Sequence, residues 1–263
     1  MKKDCSKYEE IDFTNDFMFC KVLMNHPDLC KELLEIILNI KVKEVVCLNT
    51  QEPIEITSDG RGVRLDVYVE DDKNTVYDIE MQTTPQKELP KRSRYYQGMI
   101  DLSLIERGAK YSELKKSIVI FICLKDPFNK GLYVYHFSNI CREDPELELH
   151  DETEKVFLNA SGTYGNVSTE LKKFLEFLVK KRGNSIFTTK LETAVEKARS
   201  QVEWRLEYMT LLQRDRENYE QGIEQGIHAL VETLKELNQP TETIVQKVIE
   251  RFGLSEAEAR NYV

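Results

Sequence analysis

Two alternating runs of apolar and polar residues, 63–69 and 76–82, give this chain its clearest periodic signal. In the first, Leu65, Val67 and Val69 fall on one side and Arg64, Asp66 and Tyr68 on the other. In the second, Tyr77, Ile79 and Met81 oppose Val76, Asp78, Glu80 and Gln82. A period of two in β-branched and aromatic residues predicts strands, and the polar stretch 71–75 predicts the turn of a β-hairpin. Symmetry about Lys73 pairs Glu70 with Val76, Tyr68 with Asp78 and Asp66 with Glu80. That register sets both acids of the last pair on one face.

Helical periodicity precedes the hairpin. Over residues 13–40, Asn15 or Asp16 can cap a first helix carrying Phe17, Phe19, Val22 and Leu23. Pro27 and Asp28 open a second, with Leu29, Leu33, Leu34, Ile36, Ile37 and Leu38 on its apolar stripe. Residues 43–48 predict a short strand, and 50–62, with Pro53 and Asp59-Gly60, a polar connector. After the hairpin Thr84-Pro85 breaks the strand. Residues 89–107 then predict a helix with Tyr95, Met99, Leu102 and Ile105 facing inward and Gly108 as its stop. The unbroken apolar run 117–124 predicts a central strand, 132–137 and 154–158 two more, and 169–181 a helix. Strands with a helix before them and a crossover helix among them predict an α/β sandwich.

From about residue 190 strand formers thin out and Glu, Gln, Lys, Arg and Leu dominate, so a core over 1–185 and a helical C-terminal region over 186–263 are expected. Glu220-Gln221-Gly222-Ile223 repeats at once as Glu224-Gln225-Gly226-Ile227. Glycines four apart share a helix face; they either let a partner approach closely or weaken the helix by about 1 kcal/mol each. Residues 241–252 and a capping box at Ser255 and Glu258 predict two short terminal helices. That outline admits a nucleic-acid contact, but Glu256, Glu258 and Arg260 do not make a basic helix and favour packing or dimerisation. The helical region is expected to carry any homo-oligomerisation.

Composition narrows the function classes. A 263-residue chain with 41% hydrophobic residues can bury a core. No apolar run is long enough to span a bilayer, and residues 1–6 lack the apolar stretch of a signal peptide, so a cytoplasmic location without membrane attachment is expected. Cys5, Cys20, Cys30, Cys47, Cys123 and Cys141 form no CxxC pair and read as reduced thiols. The four histidines show no metal-ligand spacing. A net charge of −9 argues against non-specific coating of nucleic acid, while leaving room for a locally basic cleft. Lys87, Lys91, Arg92 and Arg94 directly follow the acidic strand and supply such a cluster.

Opposed residues of an antiparallel pair have Cβ atoms about 5 Å apart. Carboxylates that close repel unless a cation lies between them, and a hard divalent ion with oxygen ligands, such as Mg²⁺, meets that need. The alternative for Asp66 and Glu80 is a solvated acidic strand face.

The ordered set Asn15-Asp16-Phe17-Met18-Phe19-Cys20-Lys21, Asp66-Val67, Asp78-Ile79-Glu80-Met81-Gln82, Arg92-Ser93-Arg94-Tyr95-Tyr96, Gly108-Ala109-Lys110-Tyr111 and Ile118-Val119-Ile120-Phe121 resembles the PD-(D/E)XK nuclease superfamily. Within it, the chain is most similar to the Rpn family of recombination-promoting nucleases and putative transposases. The resemblance runs over residues 12–182, and the Glu-Gln-Gly-Ile repeats are similar to that family's C-terminal region. It implies a restriction-endonuclease-like core, a mixed central sheet flanked by helices, and divalent-metal-dependent cleavage of DNA. By that resemblance Asp66 and Glu80 are the metal-binding acids, Asp16 matches a recurrent acidic position that adds a ligand, and Tyr95, Tyr96 and Gln97 match the polar start of the following helix near the scissile phosphate; Arg92 or Arg94 is expected to hold the substrate backbone. Gln82 stands where the superfamily pattern has Lys, a position at which Gln also occurs in this family. An amide can hydrogen-bond the attacking water but brings no charge. A second reading, a nuclease-fold protein that binds nucleic acid or partners with weak or no cleavage, stays open on the net acidity and on Gln82.

Overall fold

The computed structural model describes residues 8–48 and 63–263; the connector expected over 50–62, and Cys5, lie outside them. Six strands form one mixed sheet: β1 (Val45–Cys47), β2 (Val67–Asp71), β3 (Val76–Gln82), β4 (Ser117–Cys123), β5 (Val134–Phe137) and β6 (Thr153–Asn159). Their order across the sheet is β1-β2-β3-β4-β6-β5. The hairpin β2–β3 has the register Val67↔Ile79, Tyr68↔Asp78, Val69↔Tyr77, Glu70↔Val76, which is symmetric about Lys73. Its turn explains the register. Asp71 Oδ1 accepts from Lys73 N at 2.9 Å and Thr75 N at 2.8 Å, and Asn74 takes the left-handed conformation (φ 61°) that closes a short loop.

Parallel pairing of β3 with β4, and of β4 with β6, makes β3 and β4 interior strands. All seven residues of each are buried. Parallel neighbours need a crossover, and α3 (Leu89–Leu104), opened by Pro90, supplies the one between β3 and β4. It ends at Leu104, with Ile105 as its cap, short of Gly108. Its inward face also differs from the expected stripe. Met99 is buried, but Tyr95 and Leu102 are exposed, and Leu89, Ser93, Tyr96, Gln97 and Ile100 go inward. Ser93 and Gln97 are the reason: Gln97 reaches Ser117 under the helix, and Ser93 satisfies its hydroxyl on Pro90 O of the same helix, so the buried face does not follow the apolar stripe.

Val76, Val119, Phe121, Cys123 and Phe157 form one cluster with Leu89, Tyr96, Met99 and Ile100 of α3. Alternate residues Tyr77, Ile79, Met81, Ile118, Ile120 and Ile122 are buried on the opposite face. Around them, α1 (Asp16–Asn25) packs against β2, α2 (Pro27–Leu38) against β1, and α4 (Thr169–Lys180) against α2. The helix α5 (Ile186–Arg199) packs on α1, α2 and α4 through Phe187, Leu191, Ala194, Val195 and Ala198.

Two compact units result: Glu9–Gln201, and Val202–Val263 with Tyr8. The thinning of strand formers suggested a division at 185/186; the compact units divide at Gln201/Val202, because α5 is apolar on the side it turns to the core helices. The second unit holds α6 (Val202–Glu236), α7 (Thr241–Phe252) and α8 (Glu256–Arg260). Ile227, Val231, Ile244, Val245, Val248 and Ala259 make its core. The expected capping box forms: Ser255 Oγ accepts from Glu258 N at 3.3 Å, and Glu258 Oε2 from Ser255 N at 2.9 Å. Arg260 is spent on Glu242 and Glu256, both at 2.8 Å, which fits a packed hairpin. A Cβ on Gly222 would meet open space, and one on Gly226 only ordinary contact with Phe252 at 3.5 Å, so neither glycine answers to a close approach within the unit. No helix among the described residues is long and apolar enough to cross a membrane.

Candidate active site

Asp66 sits at a bend just before β2, and Glu80 lies within β3, fully buried. Extending the hairpin register by one pair sets them opposite each other. Here side chains replace the backbone ladder. Asp66 N donates to Glu80 Oε1 at 2.9 Å, and Met81 N donates to Asp66 Oδ2 at 3.1 Å. Each acid therefore secures main-chain N–H groups at the mouth of the hairpin while the two carboxyls converge.

Convergence under burial is electrostatically costly. Burial, and then the charge of Asp66, push the Glu80 carboxyl up to about 8. Burial pushes Asp66 up to about 6, with the charge of Asp16 adding to the rise and the Met81 N–H opposing it. Asp78 points to the same face as Glu80, is completely buried, and neither carboxylate oxygen has a hydrogen-bond partner. Burial, then the charges of Glu80 and Asp66, hold it well above the ordinary carboxylate range.

One cation already answers this cluster. Arg92, in the second turn of α3, donates from Nη2 to Glu80 Oε2 at 2.6 Å and from Nη1 to Gln82 Oε1 and Gln86 Oε1, both at 3.2 Å. Its Nε donates to Tyr96 Oη at 2.7 Å, and the guanidinium lies 4.9 Å from the Tyr96 ring centroid and 5.7 Å from that of Phe121. Gln82 completes the strand face, its Nε2 donating to Met81 O at 2.9 Å.

Asp16 stands in the first turn of α1, where Asn15 caps the helix by accepting from Met18 N at 3.3 Å. Its side chain remains accessible, yet partial desolvation raises its pKa while the charge of Arg92 lowers it, and it acts on Asp66 in turn. Four residues on, Cys20 feels Asp66, Glu80 and Asp16; burial first, and then these charges, hold its thiol far above the ordinary range.

The structure thus brings Asp66, Glu80, Gln82, Arg92 and Tyr96 together and sets Asp16 within electrostatic reach. Arg94 and Tyr95 are on the exposed side of α3. Gln97 is buried elsewhere, against Ser117 and Asp101. Ser117 pairs with Val76, at the other end of β3 from Gln82, which pairs with Cys123. Asp78 and Cys20 were not singled out from sequence for this site. Asp78 shares the strand face of Glu80 by alternation, and Cys20 lies one helical turn from Asp16, so both signals were present.

Among the described residues no three or more His, Cys, Asp or Glu side chains are arranged to enclose a metal. What the site offers is carboxylate oxygen from two adjacent strands. That suits a hard cation which uses one or two protein carboxylates and completes its shell with water or phosphate oxygens.

The model of a family described as PD-(D/E)XK nuclease family transposase matches residues 13–227. That span takes in the sheet, the site and most of α6. Neither a curated protein nor a solved structure matches the chain.

Proposed function

The chain belongs to the PD-(D/E)XK nuclease family of transposases, and from that premise we propose that it is a divalent-cation-dependent endonuclease hydrolysing DNA phosphodiester bonds. The observation that carries this reading is the pairing of Asp66 and Glu80, opposite each other at the end of a buried hairpin and bonded through Asp66 N at 2.9 Å. The donor set fits Mg²⁺. It is oxygen only, its two carboxyls are raised first by burial, with the charge of Asp66 adding to the rise at Glu80 and that of Asp16 to the rise at Asp66, and Asp78 beside them is a buried carboxyl without a partner. A cation bound there supplies a lowered pKa for coordinated water and neutralises phosphate charge.

The chain's own groups do the rest. Asp66 and Glu80 would hold the ion once both have lost their protons. The backbone N–H groups of Asp66 and Met81 keep the carboxyls in place. Gln82 orients the attacking water through its amide and contributes no charge. Arg92, braced by Tyr96, receives the phosphodiester, for which a planar guanidinium is well shaped. Asp16 adds an outer contact at the rim. The free thiols Cys20, Cys30, Cys47, Cys123 and Cys141 fit a reducing compartment, and we assign the activity to the cytoplasm, in recombination or the movement of mobile elements.

A second reading, a nucleic-acid-binding protein with little cleavage, is favoured by Gln82 in the place of a charged Lys. Plasmid nicking separates the two. Mg²⁺-dependent relaxation of supercoiled DNA, abolished by EDTA, by Asp66→Ala and by Glu80→Ala, supports the nuclease. Binding without nicking supports the second reading.

A further inference from the structure

The ion pair between Arg92 and Glu80 occupies the carboxylate on which the proposed reaction depends. Glu80 has two oxygens. Oε1 accepts from Asp66 N at 2.9 Å, a donor fixed in the backbone of the hairpin. Oε2 accepts from Arg92 Nη2 at 2.6 Å, a donor at the end of a long side chain with several rotatable bonds. Of the two, Arg92 is the one that can yield. It is also placed to yield: its side chain is 29% exposed while that of Glu80 is wholly buried. Its guanidinium rests on the rings of Tyr96 and Phe121, surfaces along which a flat cation can slide without losing contact.

We infer that Arg92 is an internal counter-ion that holds Glu80 before the divalent cation arrives, and that it is exchanged from Glu80 onto a phosphate of the nucleic acid when the cation binds. The inference rests on the proposed reading of Asp66 and Glu80 as the cation site. Charge balance gives its logic. With Arg92 on Glu80 and both carboxyls deprotonated, the pair Asp66 and Glu80 carries one uncompensated negative charge. A divalent cation neutralises both carboxylates alone and leaves Arg92 with only neutral partners, Tyr96, Gln82 and Gln86. A phosphodiester, with one negative charge and oxygens spaced for a guanidinium, restores that partner. Cation and substrate thereby assist each other: the ion frees the arginine that the substrate needs. Gln82 and Gln86 guide the exchange as neutral acceptors for Nη1, each at 3.2 Å.

The test measures binding on the full chain. Mn²⁺ affinity is read by electron paramagnetic resonance for the wild type, Arg92→Gln and Glu80→Gln, and duplex DNA affinity with Ca²⁺ present. Removing the competing cation should tighten Mn²⁺ binding by about tenfold in Arg92→Gln, within the usual range of coupling between sites, while DNA binding in Ca²⁺ weakens by a similar factor. Glu80→Gln should lose Mn²⁺ binding. Unchanged or weaker Mn²⁺ binding by Arg92→Gln, with Glu80→Gln defective, overturns the exchange and spares the cation site. Wild-type Mn²⁺ affinity in Glu80→Gln overturns both. Should Arg92→Gln fail to fold, phenylglyoxal modification of Arg92 in the wild type, read by mass spectrometry, replaces it. Ca²⁺ should speed modification several-fold and DNA should slow it again, and a rate indifferent to Ca²⁺ overturns the exchange.

Discussion

Asp66 and Glu80 meet through a side chain on one strand and a main chain on the other: Asp66 N donates to Glu80 Oε1 at 2.9 Å. A ladder of backbone bonds gives way to carboxylates at that point, and the β2–β3 pairing ends in a charged mouth instead of continuing into the core. The fold therefore keeps two acids close together under burial, and their proton affinities record the cost.

That cost predicts a pH dependence of stability. The folded pKa values, about 6 for Asp66 and about 8 for Glu80, lie above those of ordinary carboxyls. A carboxyl that holds its proton more tightly when folded contributes stability below its unfolded pKa and loses it as pH rises through the folded one. The contribution of Asp66 should thus fade up to about pH 6 and that of Glu80 up to about pH 8. Glu80→Gln, neutral throughout, should gain in Tm relative to the wild type between about pH 5 and about pH 9. Calorimetry of both chains across that range checks it; parallel Tm curves would refute the burial of an ionising Glu80.

Gln82 gives a second prediction. It accepts from Arg92 and donates to Met81 O, but supplies no charge and no strong cation ligand. Gln82→Ala should lower the nicking rate by about tenfold to a hundredfold, as expected for a lost positioning contact. The rise in Tm on adding Mg²⁺ should survive in this variant and vanish in Glu80→Gln, since a ligand stabilises only the fold that binds it. Loss of the Mg²⁺ shift in Gln82→Ala would make Gln82 part of the cation site itself.

The hairpin was legible in the sequence because a period of two and a loop closed by Asp71 and Asn74 fix a register by themselves. The same local rules gave the two helices before it, the central run 117–124 and the Ser255 capping box. The facing of α3 was not legible, since Gln97 turns inward to reach Ser117 and Arg92 reaches Glu80, both partners distant in sequence. Nor was the strand order, in which β6 inserts between β4 and β5. Local patterns state which residues alternate, not which strand they will lie beside. Asp78 illustrates the gap: alternation sets it on the face of Glu80, but only the packing of α3 buries it without a partner.

Gly253 tests the C-terminal unit. It ends α7 in the left-handed region (φ 69°), with its N–H bonded to Ile249 O at 2.9 Å, and a Cβ there would meet nothing within 4 Å. The cost of a side chain is then conformational alone. Gly253→Ala should destabilise the α7–α8 turn by about 1 kcal/mol, and Gly253→Asn by less, because Asn tolerates the left-handed region. Denaturant titration monitored at Tyr262, which packs on His228 at 5.5 Å between ring centroids, reads that unit directly. Equal costs for Ala and Asn would show that something other than the left-handed conformation sets the penalty.

The helical region should be separable from the catalytic core and should carry self-association. Glu9–Gln201 clusters as a unit of its own, with α5 seated on α1, α2 and α4, so the cut belongs after Gln201; a cut near Lys190 would divide α5. Along α6, Val202, Leu206, Met209 and Tyr219 are half exposed or more, while the helix buries only Tyr208, Ile227 and Val231. A long helix with apolar residues left outside its own unit is stabilised by packing rather than propensity. A chain ending at Gln201 should keep cooperative unfolding and Mg²⁺-dependent nicking and show a smaller mass by light scattering than the full chain. Identical masses would remove α6 from assembly. Failure of the shortened chain to fold would instead make α6 part of what the core needs to stand.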